Sequence, residues 1–250
     1  MVNKNKLFSK KLSKFPEIIQ GILVGRLMFQ NNDPKEVVAN RKRAFASLGI
    51  DLKNVVIQRQ EHKNKVRVVC EKDRGAGVFD AKTYLRGTDG IITSKPNLFL
   101  VVHTADCVPI SFYDPEKKIV GVAHAGWKGT AERVGEKTVL KMKEVFNCDA
   151  ENIIAYIGPS IGLCCYKIRN QDKKVAKFKK IFPDCVYEKT KGIYLDLWKA
   201  NKKQLLEAGV LEKNIEESKI CTCCSKLNLP SHYREGEKRT RSILSVVGKK

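Results

Sequence analysis

Long apolar runs are missing from this sequence of 250 residues, and none approaches the roughly 20 residues that a membrane-spanning helix requires. No apolar segment follows the basic start of the chain, so the sequence does not indicate a secretory signal. We therefore expect a cytoplasmic location and no membrane partner. Residues 1–15 are basic and weakly patterned, and we expect a flexible N-terminus there, ahead of one domain over residues 16–250.

Internal repeats, low-complexity segments and linkers are also absent from the sequence. Strand-like and helix-like segments alternate irregularly, which favours a single α+β domain with a β-sheet core flanked by helices. Outside the middle of the chain, strands are predicted at Ile18–Met28, Asn54–Gln58, Val66–Cys70, Ile153–Ile157 and Ile243–Val247.

Apolar spacing and capping residues predict four helices. The first begins after Asp33, which is a typical N-cap residue and precedes a proline. The others are predicted over about 131–146 with Thr130 as the cap, over 170–181, and within Tyr194–Ala208.

Acidic residues are scarce, since 27 of them against 48 basic residues give a net charge of +21. This balance allows attraction to phosphate-bearing partners, but a solvated lysine-rich surface is the preferred interpretation. The sequence has no zinc finger, aromatic RNA-binding motif or basic zipper, so we expect no specific nucleic-acid partner. One local group of lysines is interpreted as a solvated surface: Lys173, Lys174, Lys177, Lys179 and Lys180.

The nine cysteines occur without an export signal, and we expect them to be reduced. Cys164 and Cys165 are adjacent, and Cys221, Cys223 and Cys224 form a C-x-C-C pattern. We interpret this spacing as different from the C-x-x-C pattern of structural zinc sites. Structural thiols are therefore the preferred interpretation, and a second metal site is the alternative.

The middle of the chain contains two apolar runs, Leu98–Val102 and Ile119–Ala123, which predict strands. Cys107 follows the first run and His124 follows the second. A turn is predicted at residues 114–117, where the sequence is Asp-Pro-Glu-Lys. We expect this turn to bring the two strands together, and Cys107 and His124 with them.

Three residues form a candidate metal site: His62, Cys107 and His124. Catalytic zinc uses three protein ligands and leaves a fourth position open, at which a bound water becomes acidic. The same donors suit copper. Without a metal ion, Cys107 and His124 would form a nucleophile and its base. His103 is a candidate fourth ligand, which would make the site structural rather than catalytic.

Polar residues near these ligands are candidates for supporting roles. Asp106 precedes Cys107, and we predict that it orients a ligand histidine; a structural hydrogen bond is the alternative. Arg26, Lys128 and Arg241 lie at the ends of predicted elements, where they could bind a phosphate group. Arg26 is the preferred phosphate anchor, and ordinary surface charge is the alternative for each.

The motifs HTADCVPI, GVAHAGWKGT and GPSIGLCCY resemble those of the laccase-domain, or multicopper polyphenol oxidase, family, whose members are mostly described as purine nucleoside phosphorylases. RQEH around His62 resembles the Gln-x-His motif of this family. The segment from Asp89 to Thr93 resembles its Asp-Gly-x-x-Thr motif, and Cys221-Thr222 resembles its Cys-Thr pair. The resemblance covers nearly the whole chain.

The resemblance implies a domain that shares its core with the catalytic domain of cytotoxic necrotizing factor, a Cys–His hydrolase fold. It also implies zinc bound by His62, Cys107 and His124. We expect these three residues and Asp106 to form the catalytic centre. The implied reaction is phosphorolysis of adenosine, inosine, guanosine and methylthioadenosine, together with deamination of adenosine. Purine nucleosides and phosphate are therefore the expected partners, and we expect a monomer or a homodimer.

Two other activities stay open: a Cys–His hydrolase or amidase acting in peptidoglycan editing, and a single-copper polyphenol oxidase. A true multicopper oxidase needs many more histidines than the four present here. The sequence departs from the family pattern at GRLMFQNNDP and at NLPSHYREG. Both segments are expected to border the nucleoside pocket.

Overall fold

The computed structural model describes residues 8–29, 32–168 and 172–250, which form thirteen strands and six α-helices. None of these helices is long and apolar enough to cross a membrane. The strands are β1 (Ile18–Gly25), β2 (Val55–Arg59), β3 (Val66–Val68), β4 (Leu85–Arg86), β5 (Gly90–Thr93), β6 (Phe99–Thr104), β7 (Val108–Asp114), β8 (Ile119–Ala125), β9 (Ile154–Ile157), β10 (Val186–Lys189), β11 (Gly192–Leu195), β12 (Ile215–Glu217) and β13 (Ser242–Lys249). The helices are α1 (Pro34–Ala46), α2 (Trp127–Ala131), α3 (Val134–Phe146), α4 (Asp172–Ile181), α5 (Leu197–Glu207) and α6 (His232–Glu235).

Two large sheets lie face to face in the centre of the molecule. One has five strands in the order β1-β13-β6-β2-β4, and the other has six in the order β12-β9-β7-β8-β5-β3. Buried side chains from both sheets share one core, among them Leu100 and Val102 from the first sheet and Val120 and Val122 from the second.

Helices cover the outer faces of both sheets. Phe45 of α1 packs with Val55 and Val101 of the five-stranded sheet. Met142 of α3 and Leu205 of α5 belong to the core on the outer face of the six-stranded sheet. Because four layers bury the sheets on both faces, their strands are nearly continuous apolar runs. The predicted α+β class, with a sheet core flanked by helices, is confirmed.

The predicted turn after Asp114 is confirmed, but it joins a different pair of strands. The Asp114 carboxylate accepts hydrogen bonds from the N–H groups of Glu116 and Lys117, at 2.9 and 3.0 Å. The turn connects β7 to β8, and β6 lies in the other sheet. Sequence reasoning missed β7, which contains Pro109 close to its start, where a strand tolerates proline.

The helices differ from the predicted ranges at their ends. The N-cap Asp33 is confirmed, since its side chain accepts a hydrogen bond from the N–H of Glu36. The helix predicted over about 131–146 corresponds to α3, which begins at Val134, because Arg133 has a φ of 64° and separates α3 from the short preceding helix α2. Thr130 lies inside α2 rather than capping a helix. The helix predicted within Tyr194–Ala208 begins only after Asp196, its observed N-cap.

The expected flexible N-terminus differs from the structure over residues 8–15. Leu12 is fully buried. The Glu216 carboxylate accepts hydrogen bonds from the Ser9 hydroxyl at 2.6 Å and from the N–H groups of Lys10 and Lys11 at 2.9 and 2.8 Å. Residues 1–7, and residues 170–171 of the predicted basic helix, lie outside the described residues.

Candidate metal centre

The structure brings His62, Cys107 and His124 together. Their ligand atoms all lie within 4.8 Å of one another, and Cys107 Sγ is 3.8 Å from His62 Nε2. His62 lies in the loop after β2, Cys107 lies between β6 and β7, and His124 lies on β8. The three ligand-competent side chains therefore come from elements of both large sheets.

Asp89, a fully buried carboxylate, holds two of these residues in place. It accepts hydrogen bonds from the backbone N–H groups of Glu61, His62 and Lys63 at 3.1, 3.0 and 2.8 Å. It also lies 2.8 Å from Nδ1 of His124. Sequence reasoning placed Asp89 in a motif but gave it no role, although it precedes a buried strand.

Asp106 has its hydrogen bonds elsewhere, whereas Asp89 is the carboxylate that contacts a candidate ligand histidine, His124. The Asp106 carboxylate accepts hydrogen bonds from the Thr222 hydroxyl and from the backbone N–H of Tyr233, both at 2.6 Å. Asp106 thus connects the chain beside Cys107 to the loop that contains Thr222 and to the first turn of α6. The structural alternative weighed for this residue describes these contacts.

Gly126 leaves the space in which the three candidate ligands meet. A Cβ atom at this position would lie 2.9 Å from Cys107 Sγ, 2.9 Å from His62 Cδ2 and 3.6 Å from His124 Cε1. Its backbone φ of −65° is open to any residue. The glycine is therefore required by the close approach of side chains and not by its backbone conformation.

Electrostatic interactions favour a thiolate beside an imidazolium when no metal ion is bound. Burial raises the pKa of Cys107, but its interactions with His124 and His62 outweigh that effect and lower the pKa to about 6. Burial lowers the pKa of His124, but Cys107 and Asp89 outweigh it and raise the pKa to about 9. A thiolate at neutral pH is the form that binds metals and attacks carbon.

The donor set fits a borderline-soft metal ion. One thiolate and two imidazoles are ligands that zinc accepts at sites with an open position. Asp89 contacts Nδ1 of His124, so Nε2 is the nitrogen left to face a metal ion. Among the described residues, the group of ligand atoms around Cys107 does not include His103, the candidate fourth ligand.

A cleft of about 1040 Å³ opens over the three residues, a size typical of small-molecule sites. Both segments that depart from the family pattern border it, through Met28 and Phe29 and through His232 and Tyr233. Its other aromatic and cationic lining residues are Tyr84, Trp127, Tyr166, Arg59, Lys167, Lys174 and Arg239.

Arg26, Lys128 and Arg241 do not line this cleft as the described residues define it. Arg26 is exposed and pairs with Glu36 at 3.4 Å. Lys128 lies over the Trp127 ring, and Arg241 donates to the Asn228 carbonyl. Their role in substrate binding has no support from their positions and stays a prediction.

Lys174 was assigned from the sequence to a solvated surface, and the structure places it at the cleft instead. Its Nζ lies 4.8 Å from the centre of the Trp127 ring and 3.5 Å from the Tyr166 hydroxyl. Burial lowers the pKa of Lys174. The sequence did not indicate this position, because Lys174 is far from the candidate ligands along the chain and α4 lies near them only in the folded protein.

Known proteins are similar to this chain over most of its length. A family model described as multi-copper polyphenol oxidoreductase laccase matches residues 27–249. Purine nucleoside phosphorylase YlmD of Bacillus subtilis is 37% identical over 217 residues, which cover 86% of this chain and 78% of that protein. Adenosine deaminase RL5, from an unknown prokaryotic organism, is 33% identical over 226 residues, which cover 88% and 85%.

The fold is also similar to solved structures. The crystal structure of YlmD from Geobacillus stearothermophilus has a TM-score of 0.86 at 31% identity, covering 97% of this chain and 94% of that chain. A protein of Bacillus licheniformis, YfiH, has the same TM-score at 33% identity and covers 94% of both chains.

Proposed function

The chain belongs to the family of multi-copper polyphenol oxidoreductase laccases, and from this premise we propose that it is a zinc-dependent purine nucleoside phosphorylase that also deaminates adenosine. Relatives named for each of the two activities support the proposal. The expected substrates are adenosine, inosine, guanosine and methylthioadenosine, with phosphate as the second substrate.

One observation carries the proposal: aromatic rings and cations line the same cleft as the candidate metal ligands. Aromatic side chains stack on purine bases, and Tyr84, Trp127 and Tyr166 offer rings for this purpose. Cationic side chains bind phosphate through charge-assisted hydrogen bonds. A nucleoside together with phosphate needs both kinds of surface next to each other.

Lys174 is our choice for the phosphate anchor. No described carboxylate pairs with its ammonium group, which instead contacts the Trp127 ring and the Tyr166 hydroxyl. A partly buried cation without a carboxylate partner gains more from an anionic ligand than an exposed, paired cation such as Arg26. Lys174 therefore replaces Arg26 in the role expected from the sequence.

His62, Cys107 and His124 would hold the metal ion, with His124 oriented by Asp89. When bound, zinc would supply Lewis-acid polarisation of substrate oxygens and of water. Copper accepts the same donors. Metal analysis of purified protein would tell zinc from copper, and four histidines are too few for the blue and trinuclear coppers of a multicopper oxidase.

Two further residues of the cleft are assigned to substrate recognition. Gln60 Oε1 and His103 Nδ1 are buried and have no hydrogen-bond partner among the described residues. Burial lowers the pKa of His103 to about 3, so its imidazole is neutral at pH 7. Each unpaired buried polar atom costs roughly 1–3 kcal/mol, which a hydrogen bond to the base or ribose would offset.

A second candidate function has a specific observation in its favour. Cys107, His124 and Asp89 have the arrangement of nucleophile, base and orienting carboxylate, and the pKa of Cys107 is lowered to about 6. Such a triad would perform acyl transfer, with a water molecule releasing the product, in a Cys–His hydrolase or amidase. Metal bound to Cys107 would block that reaction, so the two functions exclude each other at one site.

Incubation with adenosine in the presence and absence of phosphate tests the proposal, with products separated by chromatography. Adenine and ribose 1-phosphate should form only with phosphate, and inosine should form in both mixtures. Cys107→Ala should abolish both reactions, whereas the matched control Cys70→Ala should retain them because Cys70 lies outside the cleft.

Three other results would change the proposed function. Zinc-loaded protein that leaves nucleosides unchanged with phosphate present would refute phosphorolysis. Hydrolysis of peptide amides by metal-free protein, lost in Cys107→Ala, would support the hydrolase instead. Oxidation of phenols by copper-loaded protein alone would support the polyphenol oxidase.

A further inference from the structure

Four cysteine thiols gather at a second place, apart from the candidate metal centre. Cys164 and Cys165 lie in the loop after β9, and Cys221 and Cys224 lie in the loop after β12. Their four sulfur atoms all lie within 4.8 Å of one another. Cys164 Sγ and Cys224 Sγ are 3.6 Å apart.

The fold changes the interpretation of the C-x-C-C pattern. Cys221 and Cys224 are three residues apart, so they form a C-x-x-C pair, and Cys223 between them is an additional thiol outside the cluster. A turn at this pair is closed by a hydrogen bond from Ser225 N–H to the Cys221 carbonyl at 3.0 Å. When the three cysteines are considered as one C-x-C-C pattern, this zinc-type spacing is hidden.

Backbone N–H groups converge on the sulfur of Cys221. The N–H of Gly162 donates to it at 3.3 Å, and the N–H groups of Cys223 and Cys224 also donate to it. Donors aimed at a sulfur favour its thiolate form, which is the form that binds metal ions. The loop that carries the C-x-x-C pair is therefore shaped around a sulfur ligand.

We propose that Cys164, Cys165, Cys221 and Cys224 bind one tetrahedral divalent ion of the zinc class. Zinc–sulfur bonds of about 2.3 Å in a tetrahedron place neighbouring sulfurs about 3.8 Å apart. One pair of sulfurs in the cluster lies 3.6 Å apart and all four lie within 4.8 Å of one another, a range that includes this spacing. An iron–sulfur cluster would require thiolates spread around several iron atoms, which this compact group does not offer.

A site with four protein ligands is closed, and such zinc sites are structural. The ion would join two loops that are already linked by a backbone hydrogen bond. The N–H of Thr222 donates to the carbonyl of Ser160, at 3.0 Å. Tyr166 and Lys167, just after Cys165, line the substrate cleft. The Thr222 hydroxyl bonds to Asp106 beside Cys107. The second ion would thus fix one wall of the cleft.

Cobalt binding tests the proposal, and it is independent of the proposed enzymatic activity because the readout is the metal site itself. The experiment uses Cys107→Ala protein, which lacks the first site, reduced and loaded with Co²⁺ without oxygen. We expect one cobalt per chain with the sulfur-to-metal charge-transfer and visible bands of tetrahedral thiolate coordination. Cys224→Ser in the same background should lose these bands, and the matched control Cys223→Ser should retain them.

A chelator provides a second measurement that does not require a substitution in any of the four clustered cysteines. In the Cys107→Ala protein loaded with zinc, EDTA should lower the thermal midpoint, and added zinc should restore it. Folded Cys107→Ala protein, verified by circular dichroism, that binds no cobalt would overturn the proposal. Equal loss of cobalt in Cys223→Ser would also overturn it. So would a Cys164–Cys224 disulfide in the isolated protein, detected by thiol counting, if the reduced protein still bound no metal.

Discussion

Replacing Asp89 by asparagine should disrupt the candidate metal centre, although the two side chains have nearly the same shape. One carboxylate oxygen of Asp89 receives the N–H of His62 and lies against His124, and the other receives the N–H groups of Glu61 and Lys63. The single oxygen of asparagine can serve only one of these pairs. Its NH₂ group must then face donors of the other pair, whichever way the amide turns.

The magnitude follows from these contacts. A buried donor left without an acceptor costs about 1–3 kcal/mol, and one or two such donors remain in each amide orientation. We therefore expect the free energy of unfolding to fall by at least about 1–3 kcal/mol. Loss of the carboxylate that orients a ligand histidine should weaken zinc binding roughly 10- to 100-fold.

Urea unfolding and competition with a chromogenic zinc chelator measure the two effects. Asp114→Asn is the matched control, because Asp114 is also fully buried. It accepts the N–H groups of Glu116 and Lys117 on a single oxygen, which asparagine retains. This control should keep the zinc affinity of the unaltered protein. If Asp89→Asn binds zinc as tightly as Asp114→Asn does, Asp89 does not orient the ligands.

Three further predictions concern the cleft. Lys174→Gln should raise the KM for phosphate roughly 10- to 100-fold by loss of a charge-assisted hydrogen bond, measured by phosphate titration of phosphorolysis. Lys177 on the same helix pairs with Glu132, and the control variant Lys177→Gln should change the KM for phosphate little. Gly126→Ala should lose zinc while its circular dichroism spectrum is retained, because the new Cβ would lie 2.9 Å from Cys107 Sγ. In metal-free protein, iodoacetamide should alkylate Cys107 with a midpoint near pH 6. The reaction should slow below that pH as the thiolate is protonated, and a midpoint near the ordinary thiol value of about 8.5 would contradict this prediction.

Local patterns were sufficient for much of the fold and for the three candidate ligands. Apolar runs ending in His103 and His124 are visible in the chain because strands buried on both faces need continuous apolar residues. Asp33 ahead of a proline marks a helix start by local hydrogen bonding alone. Residue type, position near the apolar runs and the family motifs together indicated His62, Cys107 and His124, because few side chains other than histidine and cysteine have the chemistry of a zinc ligand.

The roles of other polar residues depended on contacts between distant segments. Asp106 is next to Cys107 in the chain, yet it bonds to Thr222 and Tyr233, more than a hundred residues away. Asp89 reaches His124 because β5 pairs with β8. Proximity along the chain therefore suggested the wrong contact for Asp106 and no contact for Asp89.

Residue types were enough to predict an α+β domain and to identify the side chains able to bind a metal ion, because tendency to be buried and ligand chemistry are properties of residue types. Tertiary structure alone decided which cations enter the cleft, since Lys174 reaches it only when α4 packs beside Trp127. It alone also joined Cys164 and Cys165 to Cys221 and Cys224, because parallel pairing of β12 with β9 places the two following loops side by side. The spacing of residues along a chain contains no record of such pairing.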